Sequence, residues 1–361
     1  MSDAGSGVSV IIIGAGPAGL AAAETLAKRN IDYVILEKGN AVASALRRVD
    51  PEMRLLSPGG LSLMPDMHPE PQAPTYLPFS VLVHELERYQ QQHELKVNFD
   101  CTVLAIRKDD RGFSVLYRGS DGERRELRGS QVINATGIIS QPRLPDNFHL
   151  EPRRWRHSID TRAEDLAAAR ELLVVGGGAS AAEVLENWLR VRRETDRAWL
   201  SLRSRLVAIP HWIFGIDVHY FAWLPEQIPT CLLGWRANRL TEPMTGRAVI
   251  RAIRKGLIRR VPAVRNYKNG EVEFVNGAQI EPDLIVFATG FTYAVEHLKE
   301  VVDLDPEGRP LVKNCESTRV PGMFLLGYRF GRTFASPYLR GIARDAEYVA
   351  ERIATRFSCK S

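Results

Sequence analysis

Residues 10–26 read VIIIGAGPAGLAAAETL. The run from Val8 to Ile13 is apolar and β-branched, which marks a strand buried on both faces. It breaks at Gly14-Ala15-Gly16-Pro17-Ala18-Gly19, and Leu20 to Lys28 then has the composition of a helix. The order is strand, tight turn, helix. Gly14 permits the turn, Gly16 lets the backbone approach a pyrophosphate, and Gly19 allows the helix to lie close on the strand. A helix that starts through Pro17 and Ala18 offers unpaired N–H groups and a partial positive charge to phosphate oxygens. A second strand, DYVILEK, reaches Glu37, 23 residues after Gly14. An acid at that place bonds ribose hydroxyls and repels a 2′-phosphate. The first site therefore suits FAD or NAD and not NADP.

The same grammar returns at residues 172–188, LLVVGGGASAAEVLENW, 162 residues further on (176 − 14). Gly176, Gly178 and Ala181 hold the three glycine places, and Ala179 and Ser180 open the helix. The next strand, AWLSL, runs into Arg203-Ser204-Arg205, with Arg203 27 residues after Gly176 and no acid at the tip. Guanidinium groups there suit the 2′-phosphate of NADP. Two further buried strands, VINATG (132–137) and LIVFATG (284–290), end in Ala135-Thr136-Gly137 and Ala288-Thr289-Gly290. Glycine at such an end lets the chain turn against a ligand. Between residues 95 and 129, KVNFD, TVLAIRK and FSVLYR with the turn GSDGE predict an antiparallel meander.

The bulk numbers are compatible with this layout. The chain has 361 residues, enough for two domains with sizeable cores, and is 45% hydrophobic and 25% charged. No apolar stretch reaches the ~18 residues of a membrane helix, and the N-terminus lacks a signal peptide's basic and apolar segments. A cytoplasmic protein is expected. Cys101, Cys231, Cys315 and Cys359 have no short spacing, which argues against a disulfide scaffold, a zinc site or a redox pair. The net charge is +5, with nine Lys/Arg and a single acid, Glu242, between Trp235 and Asn266. That basic segment fits an NADPH phosphate, a membrane surface or simply a solvated helix face. Nucleic acid is not expected, because no recognition motif accompanies the charge.

With these residues the sequence resembles the two-dinucleotide-binding flavoproteins over nearly its full length, and among them the flavin-containing monooxygenase group. The marks are Gly14-Gly16-Gly19, ATGIISQPRLP (135–145), His157-Ser158, Gly176-Gly178-Ala181, FATGF (287–291) and VPGMFLLG (320–327). The resemblance implies an α/β fold of two Rossmann-like domains, the NADP domain (151–282) inserted in a discontinuous FAD domain (1–150 and 283–361). The C-terminal part is too short for a domain of its own, which agrees with that interleaving. The resemblance also extends the FAD contacts to Lys38, Leu55, Ser57, Val103 and Gly327. It implies that NADPH reduces the flavin, O2 adds at C4a, and the hydroperoxide oxygenates a small organic substrate. No catalytic side chain and no metal are required. A non-oxygenating NADPH-dependent reductase or oxidase is the alternative, and a flavin-bound NADPH sensor a third.

The sequence departs from that group at several places. In the fingerprint FxGxxxH, His157 fits, but Glu151 and Arg153 stand at the other two positions. Leu56 precedes Ser57-Pro58 where many relatives carry Asn or His. The N-terminal third also resembles the bacilliredoxin reductases, in IDYVILEKGNAVAS and HELKVNF, with Ala18 where those enzymes place a cysteine. Gly327-Tyr328 stands where thioredoxin reductases have Gly-Asp. Residues 209–235 concentrate Trp, Phe and Tyr with His211 and His219, a composition for a pocket wall or a packed connector.

Overall fold

The computed structural model describes residues 8–358 apart from 56, 71–74, 146–153, 207, 210–211, 233–243, 246, 269 and 330. The β-branched run Val8–Ile13 is a strand at the centre of a nine-stranded sheet. Tyr33–Leu36 and Arg124–Asn134 flank it in parallel, with Ile12 level with Ile35 on one side and Ile133 on the other. Val97–Asn98 extends the sheet beyond Tyr33–Leu36. Met323–Leu325 extends it beyond Arg124–Asn134. The sheet is thus completed by a strand nearly 200 residues away in the chain, the interleaving expected of a discontinuous domain. The last helix, Leu339–Ser358, packs through Ile342, Ala346, Val349 and Ile353 on the small-residue helix Pro17–Ala27. Alanines on that helix let the two axes come close.

Five parallel strands form the second sheet, in the order Ile258–Val261, Arg197–Ser201, Glu171–Val175, Leu284–Phe287, Trp155–His157. Helix Ala179–Val191 covers it with Ala182, Leu185 and Trp188. The inner strands Glu171–Val175 and Leu284–Phe287 read as nearly continuous apolar runs because helices on one face and a small three-stranded sheet (264–280) on the other cover them.

Two expectations need correcting. Leu284–Phe287, assigned to the first domain by sequence, pairs with Leu172–Val175 and belongs to the second sheet. Four fully apolar residues can only be satisfied between two other strands, so the chain leaves the second sheet after Phe287 and not before it. KVNFD does not join the meander. Val97–Asn98 follows the helix Phe79–Gln92 and lies parallel to Tyr33–Leu36, the pairing that a strand–helix–strand crossover gives. The antiparallel meander consists of Thr102–Asp109, Gly112–Arg118 and Arg124–Asn134.

Candidate functional site

At the first turn Gly14 N–H donates to Leu36 O (2.8 Å) while Ala135 N–H donates to Ile13 O (2.8 Å), so the turn is wedged between two strand ends. Gly14 has φ +100°, and a Cβ there would lie 2.8 Å from the Ala135 carbonyl oxygen. A Cβ on Gly19 would lie 1.9 Å from Gly14 O. Both glycines serve the close packing of helix, turn and strand. Gly16 differs. Its backbone is extended, and a Cβ would meet nothing within 4 Å. It faces open space directly at the start of helix Pro17–Ala27, where no side chain caps the first N–H groups. Uncapped N–H groups facing open space form a cradle for an anion.

Glu37 lies just past its strand and is buried. One carboxylate oxygen accepts from Ala15 N–H at 2.6 Å; the other accepts from Gly39 N–H at 2.8 Å and from the Ser44 hydroxyl at 2.5 Å. The acid therefore holds the glycine turn in shape. Ala18 and Gly327 are neighbours: a Cβ on Gly327, at φ +74°, would sit 3.1 Å from Ala18 Cβ. Leu55, half-buried, donates its N–H to Leu77 O (2.8 Å), and the hydroxyls of Ser57 and Ser62 are 2.5 Å apart. Lys38 is exposed, and Val103 is half-buried against the apolar side of the meander. Leu56, Glu151, Arg153 and His211 lie outside the described residues.

The second turn repeats the first bond for bond. Gly176 N–H donates to Ser201 O (3.1 Å), and Ala288 N–H to Val175 O (2.9 Å). Gly176 has φ +128°, and its Cβ would lie 2.1 Å from Ala288 O; a Cβ on Gly178 would meet nothing within 4 Å. Helix Ala179–Val191 again starts without a side-chain cap, with Ala179 and Ser180 half-buried at its first turn. Ala181 is fully buried, in the apolar cluster that also holds Val174 and Ala288. In both halves the alanine of an Ala-Thr-Gly end abuts the first glycine. The closing glycines, Gly137 (φ +71°) and Gly290 (φ +81°), face open space. Thr289 Oγ1 is tied to the Arg143 carbonyl.

Charge separates the two sites. Arg203, Ser204 and Arg205 are exposed beyond the end of Arg197–Ser201, and neither arginine pairs with an acid among the described residues. The corresponding place in the first half holds Glu37, buried and bonded.

His157 proves to be a clamp. Its Nδ1 accepts from Ile159 N–H (3.4 Å), so Nε2 carries the proton and donates to Gly290 O at 3.0 Å. Burial pushes its pKa below the usual histidine range, and Phe291 packs edge-on at 4.9 Å. The side chain fixes the second Ala-Thr-Gly end.

Sequence reasoning missed a buried polar network under the first site. Asn134 Nδ2 donates to Tyr328 Oη (2.6 Å) and Thr136 Oγ1 (3.1 Å), which are 2.8 Å from each other. His297 Nε2 lies 2.8 Å from Asn134 Oδ1, an acceptor, so Nε2 carries the hydrogen. Burial pushes Tyr328 up to about 12 and His297 down to about 4. Asn134, the one polar side chain at the apolar end of VIN, was the visible signal; nothing near His297 announced its role. Also unforeseen are contacts that join the halves. Asp50 Oδ2 accepts from Ala163 N–H (2.7 Å) at the start of a short helix, and Arg48 pairs with Asp160 at 2.8 Å.

Cys101 and Cys315 are buried, and burial raises both thiol pKa values. With Ala18 in the turn, neither is an exposed nucleophile. Glu24, Asp66 and His93 bring possible ligand atoms within 4.8 Å of one another, but Glu24 is already paired with Lys28. The described aromatic side chains of 209–235 reach the surface. Trp212, Tyr220 and Phe221 are about half exposed and Phe214 almost fully. No helix among the described residues is long and apolar enough to cross a membrane.

Two glycine turns of dinucleotide-binding form, each backed by an Ala-Thr-Gly strand end, define a two-site α/β oxidoreductase. The chain belongs to the pyridine nucleotide-disulphide oxidoreductase family, which matches residues 11–195. It is 25% identical to an uncharacterized oxidoreductase CzcO-like of Geobacillus kaustophilus over 96% of this chain and 98% of that protein. It is 28% identical to indole-3-pyruvate monooxygenase YUCCA1 of Oryza sativa subsp. japonica over 95% of this chain and 90% of that one. Among solved structures, the fold matches a flavin-containing monooxygenase from Stenotrophomonas maltophilia, with TM-score 0.76, 23% identity and 98% and 99% of the two chains covered. It equally matches a bacillithiol disulfide reductase from Bacillus cereus, with TM-score 0.76, 19% identity and 97% and 100% covered.

Proposed function

We propose that the protein is an NADPH-dependent flavoprotein monooxygenase acting on a small organic substrate. The observation that carries this reading is the repeated turn, with its second glycine open in both halves and opposite charge at the ribose positions. In it, FAD lies against Gly14, Gly16, Pro17, Ala18 and Gly19, the strand end Ala135–Gly137 and Gly327. NADP(H) lies against Gly176, Gly178, Ala179, Ser180, Ala181 and Ala288–Gly290, with Arg203 and Arg205 on the 2′-phosphate. On this assignment residues 8–145 and the chain from about 291 onward form the flavin domain, and 154–287 the NADP domain. When bound, the flavin supplies hydride acceptance and oxygen activation, chemistry no side chain provides.

The chain's own residues supply position. Uncapped helix ends hold the pyrophosphates. Glu37 keeps the first turn closed, and its carboxylate at the end of the strand is the group that excludes a 2′-phosphate there. His157 fixes the Gly290 end, and Asp50 with Arg48 sets one half against the other. The buried thiols and Ala18 speak against disulfide chemistry like that named for the bacillithiol reductase. The kinship with named monooxygenases supports oxygen use. The test follows NADPH oxidation by the flavin-loaded protein in air, with H2O2 measured and the protein screened against small amines, sulfides and ketones. An oxygenated product with H2O2 falling in proportion is the expected result. H2O2 alone with every substrate would make it an oxidase, and no NADPH consumption would sink both readings.

A further inference from the structure

Just after the second site the chain builds an arm whose apolar side chains point outward. It opens with a two-residue hairpin, Trp212–Ile213 against Ile216–Asp217, with Phe214 and Gly215 at the tip. Both tip residues have positive φ, 50° and 78°. That is the backbone of a type I′ turn, where Asn-Gly is favoured and a bulky residue in the first place is strained. Phe214 is nevertheless there, and it is 98% exposed. Ile216, Tyr220 and Phe221 stand about half exposed beside it. A strained aromatic this exposed points to a partner outside the fold.

The arm is held firmly. Asp217, at its foot, is buried, accepts from the Tyr76 hydroxyl, and lies 2.8 Å from His219 N and 2.7 Å from His219 Nδ1. The helix Val218–Glu226 is pinned at its far end by Arg340, which makes two 2.6 Å bonds to Glu226. Thr230 N–H donates to Arg332 O at 2.9 Å. Charge lies close by. Ala208–Ile209, which leads into the hairpin, pairs with Met244–Thr245, and the basic helix Arg247–Arg254 starts two residues later. Arg251, Arg254, Lys255, Arg259 and Arg260 are exposed, and none pairs with an acid among the described residues. A shaped protein pocket is not needed for an aromatic tip presented in the open, whereas a lipid interface accepts it as it stands.

We propose that this arm docks the protein on an anionic phospholipid surface, with Phe214 and its apolar neighbours at the acyl boundary and the residues 251–260 over the headgroups. The test mixes the full chain with vesicles of phosphatidylcholine alone and of phosphatidylcholine with phosphatidylglycerol, and measures co-sedimentation at low and high salt. Wild type is expected on the mixed vesicles, released by salt, and scarcely on the neutral ones. Phe214→Asn suits the left-handed tip, so folding is not at risk, and it should weaken binding about tenfold. The double change Arg251→Gln, Arg254→Gln should weaken it about 25-fold, since each cation near such a surface is worth about fivefold. Thermal midpoints of both variants should stay at or above that of wild type. Failure of wild type to bind mixed vesicles at low salt overturns the proposal, as does equal binding by Phe214→Asn. So does a dimer in sedimentation equilibrium that Phe214→Asn splits, which would give this face to a second copy.

Discussion

Gly14 and Gly16 are two residues apart, yet a methyl group should act oppositely at each. At Gly16 the backbone is extended and an added Cβ meets nothing within 4 Å. Gly→Ala at a compatible position stabilises by about 0.4–1 kcal/mol through the unfolded chain. Gly16 is also the helix N-cap, where alanine is worse than glycine by about 0.5–1 kcal/mol. The two effects offset, so the flavin-free Gly16→Ala protein should unfold in urea within about 0.5 kcal/mol of wild type. Its flavin affinity should fall about 10- to 100-fold, because a methyl group forced into a filled site costs about 1–3 kcal/mol. At Gly14, φ is +100° and the Cβ would press on the Ala135 carbonyl at 2.8 Å. Left-handed strain and displaced backbone together should destabilise Gly14→Ala by about 2–4 kcal/mol even without flavin. Urea denaturation of both apo-proteins and flavin titration by fluorescence quenching make the comparison. A Gly16→Ala protein that unfolds early, or that binds flavin like wild type, would falsify the assignment of that open space to a pyrophosphate.

Arg203→Ala should raise the KM for NADPH about 10- to 150-fold, the worth of a hydrogen bond to a charged group, and leave NADH nearly unchanged. Equal losses for both cofactors would place Arg203 away from the 2′-phosphate. The second concerns His297, which burial holds at about 4 against 6.5 in the unfolded chain. As pH falls below 6.5 the unfolded chain takes up the proton first, so stability present above 6.5 is lost on acidification. The loss should approach about 3 kcal/mol near pH 4. Urea midpoints between pH 7.5 and 4.5 should fall steeply for wild type and less for His297→Gln, which keeps a donor for Asn134; parallel profiles would remove His297 as the cause.

The sequence by itself determined both glycine turns, the helices after them, the strand ends Ala135–Gly137 and Ala288–Gly290, and the contrast of Glu37 with Arg203 and Arg205. These are local signals, since a strand–turn–helix writes its periodicity and its obligatory glycines within about 20 residues. Pairing is not local. That Leu284–Phe287 closes the second sheet, and that Val97–Asn98 runs parallel to Tyr33–Leu36, depends on which edges remain open once the other strands have paired. Only the tertiary structure decided the rest. It turned His157 from a fingerprint residue into a clamp on Gly290, and it gathered Asn134, Thr136, His297 and Tyr328 across 163 and more residues of chain. A buried polar group must find its partner wherever the fold supplies one, and a one-dimensional sequence does not record that distance.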